Sequence, residues 1–180
     1  AVTLCALLGQ PRTSAATKPS ADYQPLAEGV EWTMDFEMTA DDGRRVRGSG
    51  RRVVGPAETR DGKSYYRVRT WVEVEGLPRQ ERVTLSRKDE AGFHTIYLPT
   101  PGALEEPEVV FPMKVGARWK TKHFGGMPQT HEVKGVETVI IGAKTYVNCY
   151  HVRTTADDGS YVEDYWDAPG VGSVKSEMRF

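Results

Sequence analysis

Apolar and polar residues alternate along most of the chain after residue 30. In segment 30–39, Trp32, Met34 and Phe36 fall on one face, while the intervening positions are polar or charged. A period of two is typical of a half-buried strand, whereas a helix would place these apolar side chains around its whole circumference. We find no stretch of ten residues with the helical period of 3.6. The pattern therefore predicts an all-β protein.

Turn signals separate the alternating segments. Most contain glycine, which supplies the positive φ that tight hairpins require, and they are Asp41-Asp42-Gly43, Asp61-Gly62, Glu75-Gly76, Ala91-Gly92, Gly125-Gly126, Asp158-Gly159 and Pro169-Gly170. Sequential hairpins favour an antiparallel meander. We predict about ten strands, near 30–39, 44–54, 64–75, 80–88, 92–98, 117–124, 130–141, 144–155, 160–167 and 172–180.

The chain contains an internal similarity. Segments 25–32 and 112–119 share Pro, Gly and Trp in register, and 66–70 matches 150–154 in the same order. We interpret this as two copies of one β module that form one joint domain: β module 1 (24–98), a linker (99–108) and β module 2 (109–180). Because neither module can bury its apolar face alone, the two are expected to pair as a barrel-like wrap or a β-sandwich. Trp32 and Trp119 would then occupy equivalent places in the core.

The N-terminal segment has a different character. A short apolar run over residues 1–8 is broken by Gly9 and Pro11 and followed by small residues. This pattern is typical of the end of a signal peptide, so we expect 1–16 to be the remnant of one, with cleavage after Ala16. Residues 17–23 are then a disordered leader. Lipid attachment at Cys5 is disfavoured because a lipoprotein signal needs a small residue where Leu4 stands.

Charge and length narrow the function classes. Lys and Arg number 24 against 25 acidic residues, a formal net charge of −1 without a basic stripe, which argues against a nucleic-acid partner. We interpret the arginine cluster as a solvated strand face; it comprises Arg44, Arg45, Arg47, Arg51 and Arg52. The apolar N-terminal run is too short for a membrane-spanning helix. We expect a monomer that is exported to the periplasm or the cell surface.

Three segments of the second half resemble a known group of proteins. They are Val110-Phe111-Pro112-Met113-Lys114-Val115-Gly116-Ala117-Arg118-Trp119, then Cys149-Tyr150, then the run from Asp164 through Ala168-Pro169-Gly170-Val171-Gly172 to Lys175. Together they are similar to exported bacterial TapB-like β proteins of unknown function. The resemblance covers roughly 108–180 and, more weakly, the first half. It implies an envelope β fold and no particular reaction, because the group provides no catalytic residues to carry over.

Cysteine and histidine offer little chemistry. If Cys5 leaves with the signal, Cys149 is the single cysteine of the mature protein, and its strand context predicts a buried, inert thiol. His151 lies two residues further on the same strand face, too far for a direct hydrogen bond to it. His123 and His131 flank a Gly-rich turn and could form a two-ligand metal site, but ordinary surface histidines are the favoured interpretation. We therefore predict neither a metal nor a cofactor.

The paired carboxylates admit two interpretations. Asp41-Asp42 and Asp157-Asp158 are each followed by glycine. A calcium loop needs several oxygen ligands at alternating positions, and neither stretch supplies them. Asp-Gly after a strand is hairpin chemistry, which is the interpretation we favour.

The strongest candidate site is aromatic and acidic. Tyr161, Glu163, Tyr165 and Asp167 share one strand face, while Trp166 lies on the other. We predict a ligand-binding wall formed by Tyr161, Glu163, Tyr165 and Trp166 that would take a sugar or an apolar molecule. The same pattern would also arise at the rim of a barrel.

Three function hypotheses follow. The leading one is an exported, non-catalytic envelope protein that acts as a binding or scaffold module, with an envelope protein or an apolar small molecule as partner. The second is a carrier of apolar or lipid ligands in a curved sheet, which predicts a dry cavity lined by apolar side chains. The third is a hydrolase whose candidates are His151, Arg153 and Asp164, and it requires those groups to converge in a cleft.

Overall fold

The computed structural model describes residues 22–39, 45–100, 102–122 and 126–179, together with the backbone of 3–8; the side chains of 3–8, 38 and 39 are not described. The described chain forms twelve strands without a helix: β1 (Thr3–Leu8), β2 (Glu31–Thr39), β3 (Arg45–Arg60), β4 (Lys63–Val74), β5 (Gln80–Lys88), β6 (Gly92–Leu98), β7 (Glu106–Val110), β8 (Arg118–Lys122), β9 (Pro128–Ile141), β10 (Lys144–Ala156), β11 (Val162–Ala168) and β12 (Gly172–Arg179). The all-β prediction is confirmed, and these residues contain no helix long and apolar enough to cross a bilayer.

The strands form one antiparallel sheet that rolls back on itself. Their order is β7-β6-β5-β4-β3-β2-β1-β12-β11-β10-β9-β8, so β1 lies between β2 and β12. The end strands β7 and β8 lie next to each other. The Trp119 indole N–H of β8 donates to the Glu108 carbonyl of β7 at 3.2 Å. Of the two closures left open by the sequence, this arrangement is the barrel-like one.

Ten of the strands are those that the alternation predicts, and two are additional. Residues 106–108 begin β7, although the prolines of 99–108 predict a linker there. Residues 3–8 form β1, although their pattern predicts the end of a signal peptide. Residues 1–2 and 9–16 lie outside the described residues, as does the predicted Asp41-Asp42-Gly43 turn. A protein cleaved after Ala16 would lack β1, so the strand and a removed signal are alternative fates of one segment.

The two halves build the same local structure around their buried tryptophans. In the first half the Gly29 and Val54 amides exchange hydrogen bonds with the Val54 and Val30 carbonyls at 2.9 Å. In the second half Gly116 and Val133 make the corresponding bonds with Val133 and Ala117, at 2.8 and 3.0 Å. Ladder partners correspond as well: Trp32 pairs with Arg52 and Arg52 with Thr70, as Trp119 pairs with His131 and His131 with Thr154. We call Arg52 and His131 the matched positions.

Buried side chains at corresponding places belong to two of the core clusters. One contains Trp32, Val54 and Val68, and the other includes Trp119, Val133 and Val152. Both tryptophans are 8% exposed, as expected for paired core residues. In the first half, β3 presents glycine where Phe36 of β2 needs room: a Cβ on Gly48 would lie 2.2 Å from the Phe36 ring. At this point of the interior a large residue of one strand therefore packs over a glycine of the next.

A strap formed by residues 22–30 covers the end of the rolled sheet where β2 begins and β11 ends. The Gly170 amide donates to the Asp22 carbonyl at 2.7 Å, and Asp22 also pairs with Lys88. The Tyr23 ring packs on Tyr150 with centroids 4.7 Å apart. The predicted disordered leader is thus wrong at its last two residues, 22 and 23, which are held by these contacts, whereas 17–21 lie outside the described residues.

Candidate ligand-binding cavity

A cavity of about 360 Å3 lies inside the rolled sheet. Ten strands, β2–β7 and β9–β12, contribute to its wall, and the strap contributes Gln24. Its aliphatic and phenyl side chains are Met34, Phe93 and Val109, and the other lining residues are polar, charged or tyrosine. The interior of the sheet is therefore a polar chamber, unlike the dry apolar cavity that an apolar carrier would need.

The aromatic and acidic wall predicted from the sequence lines this cavity. Tyr161, Glu163 and Tyr165 all border it, with Asp167 as the next member of the same face. The Tyr161 hydroxyl donates to the Gln129 side chain, and the Ser176 hydroxyl donates to Glu163 at 2.6 Å. Burial raises the pKa of Tyr161 to about 12, so its phenol is a neutral hydrogen-bonding group at ordinary pH.

Trp166, the fourth predicted residue, does not join this wall. Its ring stacks on His151 with centroids 4.6 Å apart, and the Lys175 ammonium lies 4.4 Å from its centroid. The indole N–H donates to Glu137 at 2.9 Å. Alternation along β11 turns Trp166 away from the cavity, so its inclusion in the predicted site is wrong as a matter of placement.

The three hydrolase candidates do converge, on the same side of the sheet as Trp166. Asp164 accepts a hydrogen bond from Arg153 Nε at 2.9 Å and lies 2.7 Å from His151 Nε2. Arg179 reaches the second Asp164 oxygen at 2.8 Å. The other ring nitrogen of His151 lies 3.0 Å from Glu137, so both nitrogens face carboxylates. Burial opposes ionisation of Asp164, but the hydrogen bonds from Arg153 and His151 lower its pKa overall. The cluster is a satisfied ion-pair network.

Arg52 is the cavity residue that the sequence analysis missed. Arg45, Arg47 and Arg51 do lie on an exposed face, but Arg52 points inward and its guanidinium lies 5.3 Å from the Trp32 ring centroid. It makes no hydrogen bond or ion pair with any residue that the structure describes. Burial lowers its pKa, while Glu108, Tyr97 and Asp167 raise it from a distance. Arginine remains charged in such a setting.

Asp167 is the second polar group of the cavity with an atom that lacks a hydrogen-bond partner among the described residues. Its side chain is fully buried, and the Gln24 amide donates to Oδ2 at 2.6 Å. Oδ1 has no hydrogen-bond partner among the described residues. Burial raises the pKa of Asp167 to about 7, against the opposing effects of Gln24, the nearby Ser173 hydroxyl and the charge of Arg52.

His131, unlike Arg52 and Asp167, has a hydrogen-bond partner at each of its polar side-chain atoms. It is 4% exposed, and its ring nitrogens lie 2.9 Å from the Thr121 hydroxyl and 2.8 Å from the Thr154 hydroxyl. Its ring stacks on Trp119 with centroids 5.0 Å apart. Burial lowers the pKa of His131 to about 4, so the imidazole is neutral at pH 7. The favoured interpretation of His131 as a surface histidine is wrong, because alternation on β9 turns it inward.

The remaining candidates have structural roles. Cys149 is fully buried, its thiol contacts the Tyr146 carbonyl, and burial raises its pKa, which agrees with the predicted inert thiol. In the β10–β11 hairpin Asp158 accepts a hydrogen bond from the Ser160 amide at 2.9 Å and Gly159 has a φ of 76°, as hairpin chemistry predicts, while Asp157 accepts hydrogen bonds from Lys120 and Thr130 at 2.9 and 3.0 Å. His123 lies outside the described residues, and within the described ones no cluster of three His, Cys, Asp or Glu side chains is placed to hold a metal ion.

The chain was compared with protein families, curated proteins and solved structures, and none of them matches it.

Proposed function

We propose that this chain is an exported, non-catalytic binding protein that holds a small polar molecule inside its rolled sheet. The observation that carries the proposal is the cavity of about 360 Å3, whose wall contains a guanidinium and a carboxyl oxygen that have no hydrogen-bond partner among the described residues. Unpaired polar groups in a buried place are costly unless a ligand or water satisfies them. Ligand sites are usually preformed concavities with a few such groups.

The polar lining supports this function over the carrier of apolar or lipid ligands. An apolar molecule would leave Arg52 and Asp167 desolvated and unpaired, at a cost that its own burial would have to offset. Binding also accounts for the site better than hydrolysis does, because the converged group of His151, Arg153 and Asp164 lies away from the cavity and its hydrogen-bonding atoms are engaged with one another.

Native mass spectrometry of the full chain tests the binding function. The protein is incubated with the fraction of a bacterial extract below 1 kDa in the absence of detergent, and we expect a non-covalent adduct that dissociates in the gas phase. Thr70→Tyr, which fills the cavity beside Arg52, should abolish the adduct, and Thr84→Met serves as a milder filling variant. The matched control is Arg69→Tyr at the adjacent exposed position. A folded wild-type protein that acquires no adduct would contradict the binding function.

Export is a separate part of the proposal and is supported by the pattern of residues 1–16. N-terminal sequencing of the protein recovered from a bacterial periplasm tests it. A mature chain that begins at Thr17 would support export with cleavage after Ala16. Retention of residues 3–8 would overturn that cleavage and leave β1 in the sheet.

The matching structure of the two halves supports the interpretation of the chain as a duplicated module. The correspondence extends from the turn hydrogen bonds to the buried valines Val54 and Val133. A duplicated origin explains why two positions with the same backbone environment carry different polar side chains, Arg52 and His131. After the duplication, Arg52 serves the ligand and His131 serves the fold.

A further inference from the structure

Arg52 is a cation without a hydrogen-bond acceptor among the described residues. The neighbouring Arg51, on the outer side of β3, makes two hydrogen bonds to Glu31 at 2.7 and 2.8 Å. Arg52 points into the cavity, where one face of its guanidinium lies over Trp32 and its N–H donors find no acceptor among the described residues. A guanidinium presents a planar fork of donors that matches a carboxylate in a bidentate arrangement.

The other charged groups around the cavity do not provide that acceptor. Glu108 accepts a hydrogen bond from the Tyr97 hydroxyl at 2.5 Å, and Glu163 accepts one from Ser176. Arg82 lies over the Tyr97 ring at 5.9 Å from its centroid. Of these side chains, Glu108 and Tyr97 raise the pKa of Arg52 through space without a hydrogen bond to it, so an acceptor from outside the protein would complete the coordination of the guanidinium.

Asp167 marks a second contact point in the same cavity. Gln24 holds one of its oxygens from the strap, which fixes the carboxyl group and leaves Oδ1 as an unused polar atom. Since Asp167 is fully buried, a polar ligand group opposite Oδ1 would remove an unsatisfied atom from the interior. A ligand that spans Arg52 and Asp167 therefore needs an anionic end and a hydrogen-bonding end.

We propose that the cavity binds a small organic monocarboxylate whose carboxylate is held by Arg52 and whose other end hydrogen-bonds Asp167. This inference rests on the proposed binding function and specifies its ligand class. A single negative charge is favoured over a phosphate dianion, because one open guanidinium faces a wall that already carries Glu108 and Glu163. The other lining cation, Arg82, is exposed and lies over the Tyr97 ring, so a second negative charge desolvated beside Arg52 would have no buried cation to match it.

Isothermal titration calorimetry on the full chain provides the test. The probes are benzoate, cinnamate and 4-hydroxybenzoate, each with its primary amide, plus phenyl phosphate as the dianionic comparison. We expect carboxylates to bind, with 4-hydroxybenzoate tightest because its hydroxyl can face Asp167, and each amide to bind at least tenfold more weakly. Amides that bind as tightly as their acids, or phenyl phosphate that binds best, would overturn the ligand class.

Variants locate the carboxylate. Arg52→Met should weaken carboxylate binding at least tenfold, Arg52→Lys should retain part of it, and Arg51→Met on the outer face should leave it unchanged. Circular dichroism and unfolding curves establish that each variant is folded. If Arg52→Met binds carboxylates as well as the wild type does, the assignment to Arg52 is wrong. If neutral extract molecules still form adducts in that case, the binding function stands and only the ligand class fails.

Discussion

The matched positions Arg52 and His131 differ in whether the protein supplies hydrogen-bond partners to a polar side chain inside the rolled sheet. Each lies beside a buried tryptophan and pairs across a ladder with a threonine, Thr70 or Thr154. The His131 ring is completed by two hydroxyls of the protein, whereas Arg52 has no partner among the described residues. On the proposed function, the second half uses its polar residue for stability and the first half keeps its polar residue for a ligand.

The largest expected effect is a difference in stability between the two substitutions to leucine. His131→Leu leaves the Thr121 and Thr154 hydroxyls without their common partner and should lower the free energy of unfolding by about 3 kcal/mol. Arg52→Leu removes a half-buried cation that has no hydrogen-bond acceptor among the described residues, and should leave the free energy unchanged or raise it. Urea unfolding curves measure the free energy of unfolding of both variants. Equal losses in the two variants would show that Arg52 contributes to stability as His131 does.

The next effect concerns the pH dependence that Asp167 contributes. Its pKa in the folded protein, about 7, is above the ordinary value of 3.8, so the folded state binds its proton more tightly than the unfolded state does. The stability that this proton provides is present at low pH and is lost as the pH rises towards 7.

Asp167→Asn removes this titration, and its stability relative to the wild type should rise by about 2–3 kcal/mol between pH 5 and pH 8. Charged or titratable groups that act on Asp167 are Arg52, Glu163, Tyr165 and Cys149. Arg52→Met in the otherwise wild-type protein is the control for the charge of Arg52, which lowers the pKa of Asp167. Parallel wild-type and Asp167→Asn stability curves between these pH values would show that Asp167 does not titrate there.

His131 should give a dependence of the opposite sign. Its pKa in the folded protein, about 4, lies below the ordinary value of 6.5, so the unfolded state takes up the proton first. Its contribution to stability is therefore complete above pH 6.5 and is lost as the pH falls towards 4, by about 2 kcal/mol at pH 5. His131→Gln should flatten this part of the curve of unfolding free energy against pH. An unchanged slope in that variant would refute the assignment to His131.

The smallest effect is expected from the outer cluster around His151. Glu137→Gln weakens contacts of a half-exposed carboxylate with His151 and Trp166, and should change the free energy of unfolding by less than about 1 kcal/mol. Carboxylate binding should remain as in the wild type, since this cluster lies away from the cavity. A tenfold loss of binding in titration calorimetry would instead connect the cluster to the ligand site.

Strict alternation explains how much of the fold the sequence could predict. All ten predicted strands are present, because one face of each carries apolar or small residues and glycine turns separate them. The positive φ angles at Asp61 and Gly62 are those of the hairpin that Asp-Gly predicts. β7 was missed because Pro107 lies inside it, at a position on the end strand of the sheet order where proline is tolerated.

The closure of the sheet could not be predicted in the same way. It depends on contacts between distant residues, such as the ladder from β1 to β12 and the Trp119 hydrogen bond across β7 and β8. Local alternation contains no information about which distant strand edge is the partner. The apolar segment 3–8 also has the composition of a signal peptide, which concealed its capacity to form a strand.

The candidate site was predicted in part. Alternation placed Tyr161, Glu163 and Tyr165 on one face correctly, but their position inside a cavity follows from the closure. Arg52 was assigned to a solvated face because five arginines cluster in the sequence. The missed signal was its even position in the alternation of β3. Gly48, Gly50 and Val54 lie on the same side of the strand and face inward in the structure.

A crystal structure of the protein with the tightest-binding monocarboxylate tests the central claim most directly. We predict that the ligand occupies the cavity, with its carboxylate oxygens within 3.2 Å of the Arg52 guanidinium, a normal hydrogen-bond distance, and its other end near Asp167 Oδ1. The result that would contradict the account is a ligand bound elsewhere, for example in the outer groove between Tyr23 and Phe111, with the Arg52 guanidinium still without a partner.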